Sequence, residues 1–325
     1  MAKLNMVQAI NQALRLEMKR NDNIILLGED VGVDGGVFRV TDGLLQEFGD
    51  QRVIDTPLAE SVLIGASLGL GMYGFRPVVE IQFSGFIYPG FNQLISHVAR
   101  LRNRTRGSLS CPIVVRSPYG GGIRALEHHS ESMEALFAHI PGLKVVIPSS
   151  PSQAKGLLTS SMRDPDPVIF LEPLRLYRAI KEDVPDEDFA IPLGKAKIVQ
   201  SGKDVTVISY GAMLWVTQKA IAQIGYKYGV ELIDLQTIKP LDVETIIASV
   251  KKTGRCVIVH EAPRSFGVGA EIVSQINEKA LYDLHAPVER VAGFDTIVPY
   301  YKNELKYIPS EERIIAAIEK VMEGI

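Results

Sequence analysis

The sequence predicts an α/β fold in which a domain with a parallel sheet is followed by a smaller α/β domain. Its 325 residues correspond to two domains at roughly 100–200 residues each. Short β-branched runs alternate with longer stretches that repeat apolar residues at helical spacing, which is typical of βαβ units around a parallel sheet. A proline-punctuated, acidic stretch after residue 180 interrupts this alternation and indicates a domain boundary.

The first domain is predicted at residues 1–180. Met6, Ile10 and Leu14 share one face of a predicted helix at 5–19, and the apolar run IILLG predicts a buried strand at 24–28. Small and apolar residues predict a helix at 59–72. The same patterns recur through the rest of this domain, and they predict strands at 77–83, 112–116, 144–147 and 167–171 and helices at 91–104, 130–139 and 152–163.

A linker is predicted at residues 181–203. Pro185 and Pro192 punctuate it, and residues 182–188 are acidic with few apolar side chains, which favours a solvated connector over a docking site. The second domain follows at 204–325 with the same alternation of elements. Its strands are predicted at 205–209, 231–235, 256–260 and 288–291, and its helices near Ala212, Asp242, Gly267 and Glu311.

Composition argues against several classes of protein. Thirty-five Lys and Arg against thirty-eight Asp and Glu leave a net charge of −3, so no electrostatic signature of binding to nucleic acid or an anionic membrane is present. No run approaches the roughly 18 apolar residues that span a bilayer, and the start of the chain has no signal-peptide pattern. Cys111 and Cys256 form neither a disulfide framework nor a zinc motif, so we expect a cytoplasmic protein.

Glu60 is the first candidate functional residue. It lies in the run DTPLAES at 55–61, where a strand ends and a helix begins, so its carboxylate falls in the first helical turn near the positive end of the helix dipole. A carboxylate that only stabilises the helix would occupy the same position. A functional glutamate needs a cleft, and clefts form at the carboxyl ends of strands in doubly wound sheets.

His128 and His129 follow a glycine-rich loop at 117–122, directly after a predicted strand. Adjacent histidines point in different directions, which disfavours shared metal binding, whereas one of them could act as an acid or a base. A hydrogen-bonding surface histidine is the simpler interpretation. The sequence contains neither a G-x-S-x-G elbow nor a Walker loop, which argues against serine hydrolases and P-loop enzymes.

Nine short motifs occur in order along essentially the whole chain. They are LGEDV at 27–31, GVF at 36–38, VIDTPLAE at 53–60, EIQF at 80–83, HSESMEA at 129–135, PGLKVV at 141–146, IDL at 233–235, PLD at 240–242 and HEAP at 260–263. Together they resemble the beta subunit of the thiamin-diphosphate-dependent decarboxylase (first) component of 2-oxoacid dehydrogenase complexes. The resemblance implies a transketolase-like fold, with a pyrimidine-binding domain followed by a transketolase C-terminal-like domain.

The resemblance also implies roles for single residues. Glu60 matches the glutamate that hydrogen-bonds the N1′ nitrogen of the cofactor's aminopyrimidine, and Phe86 matches an aromatic residue that stacks on that ring. Leu58 and Gln82 match residues that line the same pocket. His129 matches a histidine that handles protons during decarboxylation or acyl transfer to a lipoyl group, and the histidine before it is the weaker candidate.

Relatives in this family also bind a structural potassium ion through backbone carbonyls and an acidic side chain. The matching positions in this chain are Cys111, Ile113, Val114, Ser161, Asp164 and Asp166. An ordinary helix-to-strand turn is the alternative interpretation of these residues.

The family's anchor for magnesium and the cofactor's diphosphate, G-D-G followed by a paired asparagine, is absent from this sequence. In the family that anchor lies on a separate alpha subunit. The resemblance therefore implies a heterotetramer of two alpha and two beta subunits that binds thiamin diphosphate with Mg²⁺ and docks on a dihydrolipoyl acyltransferase core bearing lipoyl domains.

Several alternatives stay open on the sequence alone. The chain could be half of a split transketolase or deoxyxylulose phosphate synthase, or a non-catalytic interaction subunit in which Glu60 is dispensable. Within the resembled family the substrate is pyruvate or a branched-chain 2-oxoacid. The run Y-P-x-F at 88–91 leans slightly toward the branched-chain relatives.

Overall fold

Two large sheets organise the protein, which a computed structural model describes over residues 2–324. The strands are β1 Ala2–Leu4, β2 Ile24–Gly28, β3 Val53–Asp55, β4 Arg76–Glu80, β5 Val114–Tyr119, β6 Lys144–Val146, β7 Val168–Pro173, β8 Glu182–Val184, β9 Lys197–Gln200, β10 Val205–Ser209, β11 Val230–Asp234, β12 Thr237–Lys239, β13 Cys256–Pro263 and β14 Glu289–Gly293. The helices are α1 Met6–Arg20, α2 Leu44–Phe48, α3 Glu60–Met72, α4 Tyr88–Gln93, α5 Leu101–Arg104, α6 Glu134–His139, α7 Pro151–Arg163, α8 Ala212–Ile224, α9 Val243–Thr253, α10 Val268–Ala280, α11 Glu304–Tyr307 and α12 Glu311–Glu323. None of these described helices is long and apolar enough to cross a membrane.

The first sheet has seven strands in the order β12-β6-β7-β5-β4-β2-β3. All neighbours from β6 to β3 pair in parallel, and only β12, which comes from the second half of the chain, joins antiparallel. The carboxyl ends of β2, β3, β4 and β5 therefore meet along one edge, which is where clefts form in such sheets. This arrangement confirms the predicted α/β class and its parallel sheet.

The second sheet has five strands in the order β14-β13-β10-β11-β9, in which only β9 runs antiparallel. The predicted linker at 181–203 differs from a plain connector, because Glu182–Val184 pairs with β1 and Lys197–Gln200 pairs with β11. Both strands are short and most of their residues are not buried. They therefore lack the continuous apolar run by which a strand such as β2 is predicted.

Two element boundaries change the position of site residues. The predicted strand at 77–83 ends at Glu80, so Gln82 and Phe83 lie in the turn beyond it rather than within the sheet. The predicted helix at 91–104 is divided into α4, a π-helical turn at Leu94–Val98 and α5. The segment after β4 is therefore a compact connection that carries side chains over the carboxyl edge of the sheet.

A buried ion cluster lies in the middle of the first sheet. Arg116 on β5 is 1% exposed, and its Nη1 donates to Glu80 Oε2 on β4 at 2.9 Å. Its Nε donates to Glu172 Oε1 on β7 at 2.8 Å, and the Tyr177 hydroxyl donates to the other oxygen of Glu172 at 2.5 Å. The guanidinium thus ties three neighbouring strands together just below the carboxyl edge.

Candidate active site at the carboxyl edge of the first sheet

Glu60 lies at this edge as the first residue of α3. The chain reaches it from β3, whose last residue Asp55 accepts hydrogen bonds from the backbone N–H groups of Gly32 at 2.6 Å and Val33 at 3.0 Å. Ala59, the N-cap residue, has no side-chain hydrogen-bond acceptor. Glu60 is therefore the residue that places a carboxylate near the partial positive charge of the helix terminus. Glu60 is only 8% exposed, so it is a buried carboxylate rather than a solvated cap.

A second buried acid, Glu29, lies close enough to Glu60 to feel its charge. Glu29 directly follows β2 and is also 8% exposed. Burial raises the pKa of the Glu29 carboxyl, and the negative charges of Glu60 and Asp30 raise it further. The end of β2 and the start of α3 therefore bring two buried carboxyl groups together, with the pKa of the Glu29 carboxyl raised. Glu29 was not predicted as a site residue, although its position directly after a buried strand was an available signal.

An aromatic cluster forms where two phenylalanines beyond β4 meet a histidine from the loop after β5. The ring centroid of His129 is 4.4 Å from that of Phe83 and 5.0 Å from that of Phe86, and the two phenylalanines meet edge to face at 5.3 Å. Beside this cluster, Gln82 Nε2 donates to Asp30 Oδ2 at 3.1 Å. The cluster provides an apolar wall that suits a flat ring, with an imidazole set into it.

The segment of residues 84–93, which carries Phe86, packs directly against the start of α3. Gly90 in α4 lies so close to Glu60 that a Cβ atom there would come within 2.9 Å of the Glu60 carbonyl oxygen. The structure therefore brings Glu60, Phe86 and His129 to the same edge of the sheet. Leu58 lies just before this helix, but it is 78% exposed and so forms no packed wall within this chain.

The two adjacent histidines are held differently. His129 Nδ1 lies 2.8 Å from the Glu127 carbonyl oxygen. Because a carbonyl only accepts, Nδ1 carries the hydrogen and Nε2 is left with a lone pair that can take a proton. His128 is exposed, and its ring meets that of Tyr88 at 5.9 Å. The geometry thus singles out His129 as the histidine in the aromatic cluster.

Helix α3 presents an apolar face that the chain itself does not cover. Its sequence is apolar nearly all round, yet the residues it buries are confined to Glu60, Leu63, Ile64, Ser67 and Gly71. The uncovered face begins at Val62, which is 67% exposed, and Leu58, just before the helix, is 78% exposed. A helix that is apolar on every side is normally enclosed, so this α3 face has the character of an interface.

The second domain contributes a buried glutamate to the other side of the site. Glu261 on β13 accepts hydrogen bonds through Oε1 from the backbone N–H of Gly121 and the hydroxyl of Ser132, each at 3.0 Å. Burial raises the pKa of the Glu261 carboxyl to about 7, and the negative charge of Glu134 adds to this effect. The loop that carries the histidines is therefore bonded across the domain boundary.

Glu261→Gln is expected to flatten the dependence of stability on pH. The Glu261 pKa is about 7 when folded against an ordinary value of 4.5, so between these values the folded state keeps a proton that the unfolded state releases. Stability of the wild type therefore falls as pH rises through this window, by up to about 3 kcal/mol. Urea unfolding at pH 5, 6, 7 and 8 measures it, with exposed Glu312→Gln as control. Parallel curves for the wild type and Glu261→Gln would contradict the assignment.

The six residues proposed for potassium lie together at the opposite edge of the sheet. The Cys111 backbone N–H donates to the Pro165 carbonyl at 3.2 Å, and Asp164 is the C-cap of α7. Lys144 Nζ binds Asp164 at 2.6 Å and Arg102 Nε binds Asp166 at 2.5 Å. Within residues 2–324 no three His, Cys, Asp or Glu side chains converge to hold a metal ion. A cation here would rely on backbone carbonyls and share its carboxylates with these two basic side chains.

Known proteins resemble this chain over nearly its whole length. The family model for the transketolase pyrimidine binding domain matches residues 2–179, and that for the transketolase C-terminal domain matches residues 194–314. The pyruvate dehydrogenase E1 component subunit beta of Acholeplasma laidlawii is 50% identical over 99% of this chain and 98% of its own length. The proteins of the same name from Staphylococcus aureus and Staphylococcus epidermidis are 49% identical over 99% of this chain and 100% of their own. Among solved structures, a split gene transketolase in an inactive beta4 tetramer superimposes with a TM-score of 0.82 at 20% identity, covering 99% of each chain.

The fold and the two matched domains define a protein of the transketolase-like class of thiamin-diphosphate enzymes. The split transketolase is too distant in sequence, at 20% identity, to indicate more than the fold. The relatives at 49–50% identity are far more specific. This chain belongs to the family of pyruvate dehydrogenase E1 component beta subunits, which confirms the resemblance and the transketolase-like fold predicted from the sequence.

Proposed function

We propose that this chain is the beta half of a 2-oxoacid dehydrogenase component that uses thiamin diphosphate, and that Glu60 activates the cofactor. The observation that carries the proposal is a buried glutamate in the first turn of α3 beside an aromatic wall. These residues fit an aminopyrimidine, which offers a flat face for stacking and a ring nitrogen for a carboxyl group. When bound, thiamin diphosphate supplies a carbon nucleophile and an electron sink for the loss of carbon dioxide.

The chain's own residues divide the remaining work. Glu60 holds a proton at the ring nitrogen N1′, and its burial keeps that hydrogen bond away from competing water. Phe86 stacks on the pyrimidine, with Leu58 and Gln82 beside it. His129 moves protons at Nε2 during decarboxylation or acyl transfer, which is supported by the Glu127 carbonyl that fixes its tautomer.

An alpha subunit completes the site, in a heterotetramer of two alpha and two beta subunits. It holds the diphosphate and Mg²⁺, for which this chain lacks the family motif. The uncovered α3 face, with Leu58 and Val62 exposed on either side of Glu60 in the sequence, supports a partner at this position. The assembled component passes its acyl group to a lipoyl domain of a dihydrolipoyl acyltransferase core.

Two further features belong to the proposal. A potassium ion binds at the carboxyl end of α7, where residues 161–166 and 111–114 meet; the carbonyls at this helix end support a cation there. The protein works in the cytoplasm, and free, buried Cys111 and Cys256 suit a reducing compartment.

Pyruvate is the substrate that the relatives favour, because their names are those of pyruvate dehydrogenase components. This differs from the branched-chain preference suggested by the run at 88–91. The test is reconstitution with the alpha partner, thiamin diphosphate and Mg²⁺, assayed on pyruvate and on branched-chain 2-oxoacids.

We expect kcat/KM for pyruvate to exceed that for the branched-chain acids by roughly tenfold or more, since added methylenes change binding by about that factor. A higher kcat/KM for the branched-chain acids would reassign the substrate. Turnover of a sugar phosphate alone would instead favour the split transketolase alternative.

A further inference from the structure

The loop of residues 120–132, which we call the histidine loop, is held by two carboxylates from the second domain. We propose that Glu304, assisted by Glu261, is a positioning residue that sets the place of His129 by fixing this loop. The inference rests on the proposed function for the role of His129. It assigns to the second domain a direct part in arranging the first domain's active site.

Glu304 is the main anchor. It is 1% exposed at the start of α11, and its two oxygens both accept hydrogen bonds from the histidine loop. Oε1 accepts from the Gly122 backbone N–H at 2.9 Å and from the Ser130 hydroxyl at 3.2 Å. Oε2 accepts from the Arg124 backbone N–H at 2.7 Å. One carboxylate therefore fastens both arms of the loop, on either side of the histidines.

The loop's backbone requires such an external hold. Arg124 has φ of 58° and His128 has φ of 66°, both in the left-handed region that side chains rarely adopt. Non-glycine residues persist there only when surrounding contacts impose the conformation. The hydrogen bond from the Arg124 N–H to Glu304 holds one of these two left-handed residues. Loss of Glu304 therefore frees the loop at a residue whose backbone conformation is unfavourable.

The anchored residues adjoin His129 directly. The hydroxyl of Ser130, the next residue in the chain, donates to Glu304, and the His129 ring packs against Phe83 with the ring centroids 4.4 Å apart. Gly85 in turn lies so close to the His128 carbonyl oxygen that a Cβ atom there would collide with it. The backbone around His129 is thus set by a close packing contact and by a hydrogen bond to Glu304.

The two glutamates respond differently to amide substitution. Because both Glu304 oxygens accept from a backbone N–H, the NH₂ of Glu304→Gln must face the N–H of Gly122 or of Arg124 in either orientation. Glu261 uses Oε1 alone, and its Oε2 is buried without a partner, so Glu261→Gln can keep the oxygen toward Gly121 and Ser132. Glu304→Gln therefore disrupts the loop more strongly than Glu261→Gln.

The experiment combines trypsin cleavage after exposed Arg124 in the full chain with kinetics of the reconstituted complex. We expect faster cleavage in Glu304→Gln, a smaller increase in Ser130→Ala, and no change in the control Glu312→Gln. We expect kcat of Glu304→Gln to fall about 10- to 100-fold with little change in KM, as for a displaced catalytic group. We expect kcat of His129→Gln to fall further than that of Glu304→Gln. The double variant, which combines Glu304→Gln with His129→Gln, should lose no more kcat than His129→Gln alone.

Losses that multiply in the double variant would overturn the proposal, because Glu304 would then act independently of His129. Cleavage after Arg124 that is the same in the wild type and both loop variants would overturn it as well. A wild-type complex without decarboxylase activity would defeat the proposed function instead, while the cleavage rates would still decide whether Glu304 holds the loop. If Glu304→Gln does not fold, Ser130→Ala carries both measurements.

Discussion

Glu60→Gln lowers the decarboxylation rate of the reconstituted complex by about 10²–10⁴-fold, the range expected for loss of a positioned acid–base group. The amide keeps the shape of the side chain, but it cannot give up and take back a proton at the cofactor's ring nitrogen. Glu60 is 8% exposed, so bulk water has little access to replace its carboxyl group in this proton transfer. The rate of carbon dioxide release under saturating thiamin diphosphate and Mg²⁺ measures the effect.

The matched control is Glu312→Gln. Glu312 lies in the first turn of α12, as Glu60 does in α3, but it is exposed and remote from the site. This variant should keep full activity, and both variants should assemble with the alpha partner like the wild type. Full activity of Glu60→Gln would sink the assigned role and would favour a non-catalytic interaction subunit.

Arg116→Leu lowers the free energy of unfolding by about 3–5 kcal/mol, the usual consequence of removing one partner from a buried ion cluster. The reason is that Glu80 and Glu172, at 4% and 0% exposed, would be left as uncompensated carboxylates inside the sheet. Burial already raises the pKa of Glu172, while the Arg116 charge opposes that rise. Urea unfolding of the purified chain at neutral pH measures the loss.

Arg20→Leu is the control for this prediction. Arg20 pairs with Asp188 at 3.4 Å, but its side chain is 56% exposed, and exposed pairs contribute about 0–1 kcal/mol. An equal loss of unfolding free energy in Arg116→Leu and Arg20→Leu would show that the buried cluster contributes no more to stability than an exposed ion pair. Restoring the stability of Arg116→Leu by adding Glu80→Gln and Glu172→Gln would support uncompensated charge as the cause, since neither carboxylate of this cluster would then remain.

Most of the buried strands could be predicted from the sequence, whereas the short strands β8, β9 and β12 could not. Short apolar and β-branched runs predict strands at 24–28 and 205–209, and the structure has strands at the same residues. The short strands β8, β9 and β12 depend on pairing partners far along the chain; β12, for example, pairs with β6. Nothing in their local sequence specifies that pairing.

The residues of the candidate site also include some that the sequence predicts and some that it does not. Glu60 could be found because a strand end and a helix start adjoin it, but the cleft that distinguishes a functional acid from a cap is made by other segments. Glu304 had no local signal at all, since it binds Gly122 at a separation of 182 residues. Contacts across domains arise only after folding, so residues of this kind are visible in the structure alone.

The central claim is that this chain supplies the pyrimidine side of a thiamin-diphosphate site whose diphosphate side lies on an alpha subunit. Calorimetric titration with thiamin diphosphate and Mg²⁺ tests it most directly, on the chain alone, on the alpha partner alone and on the mixed complex. We expect stoichiometric binding by the complex, markedly weakened by Glu60→Gln, and no measurable binding by this chain alone. Stoichiometric binding by the isolated chain, with decarboxylation of pyruvate, would contradict the claim.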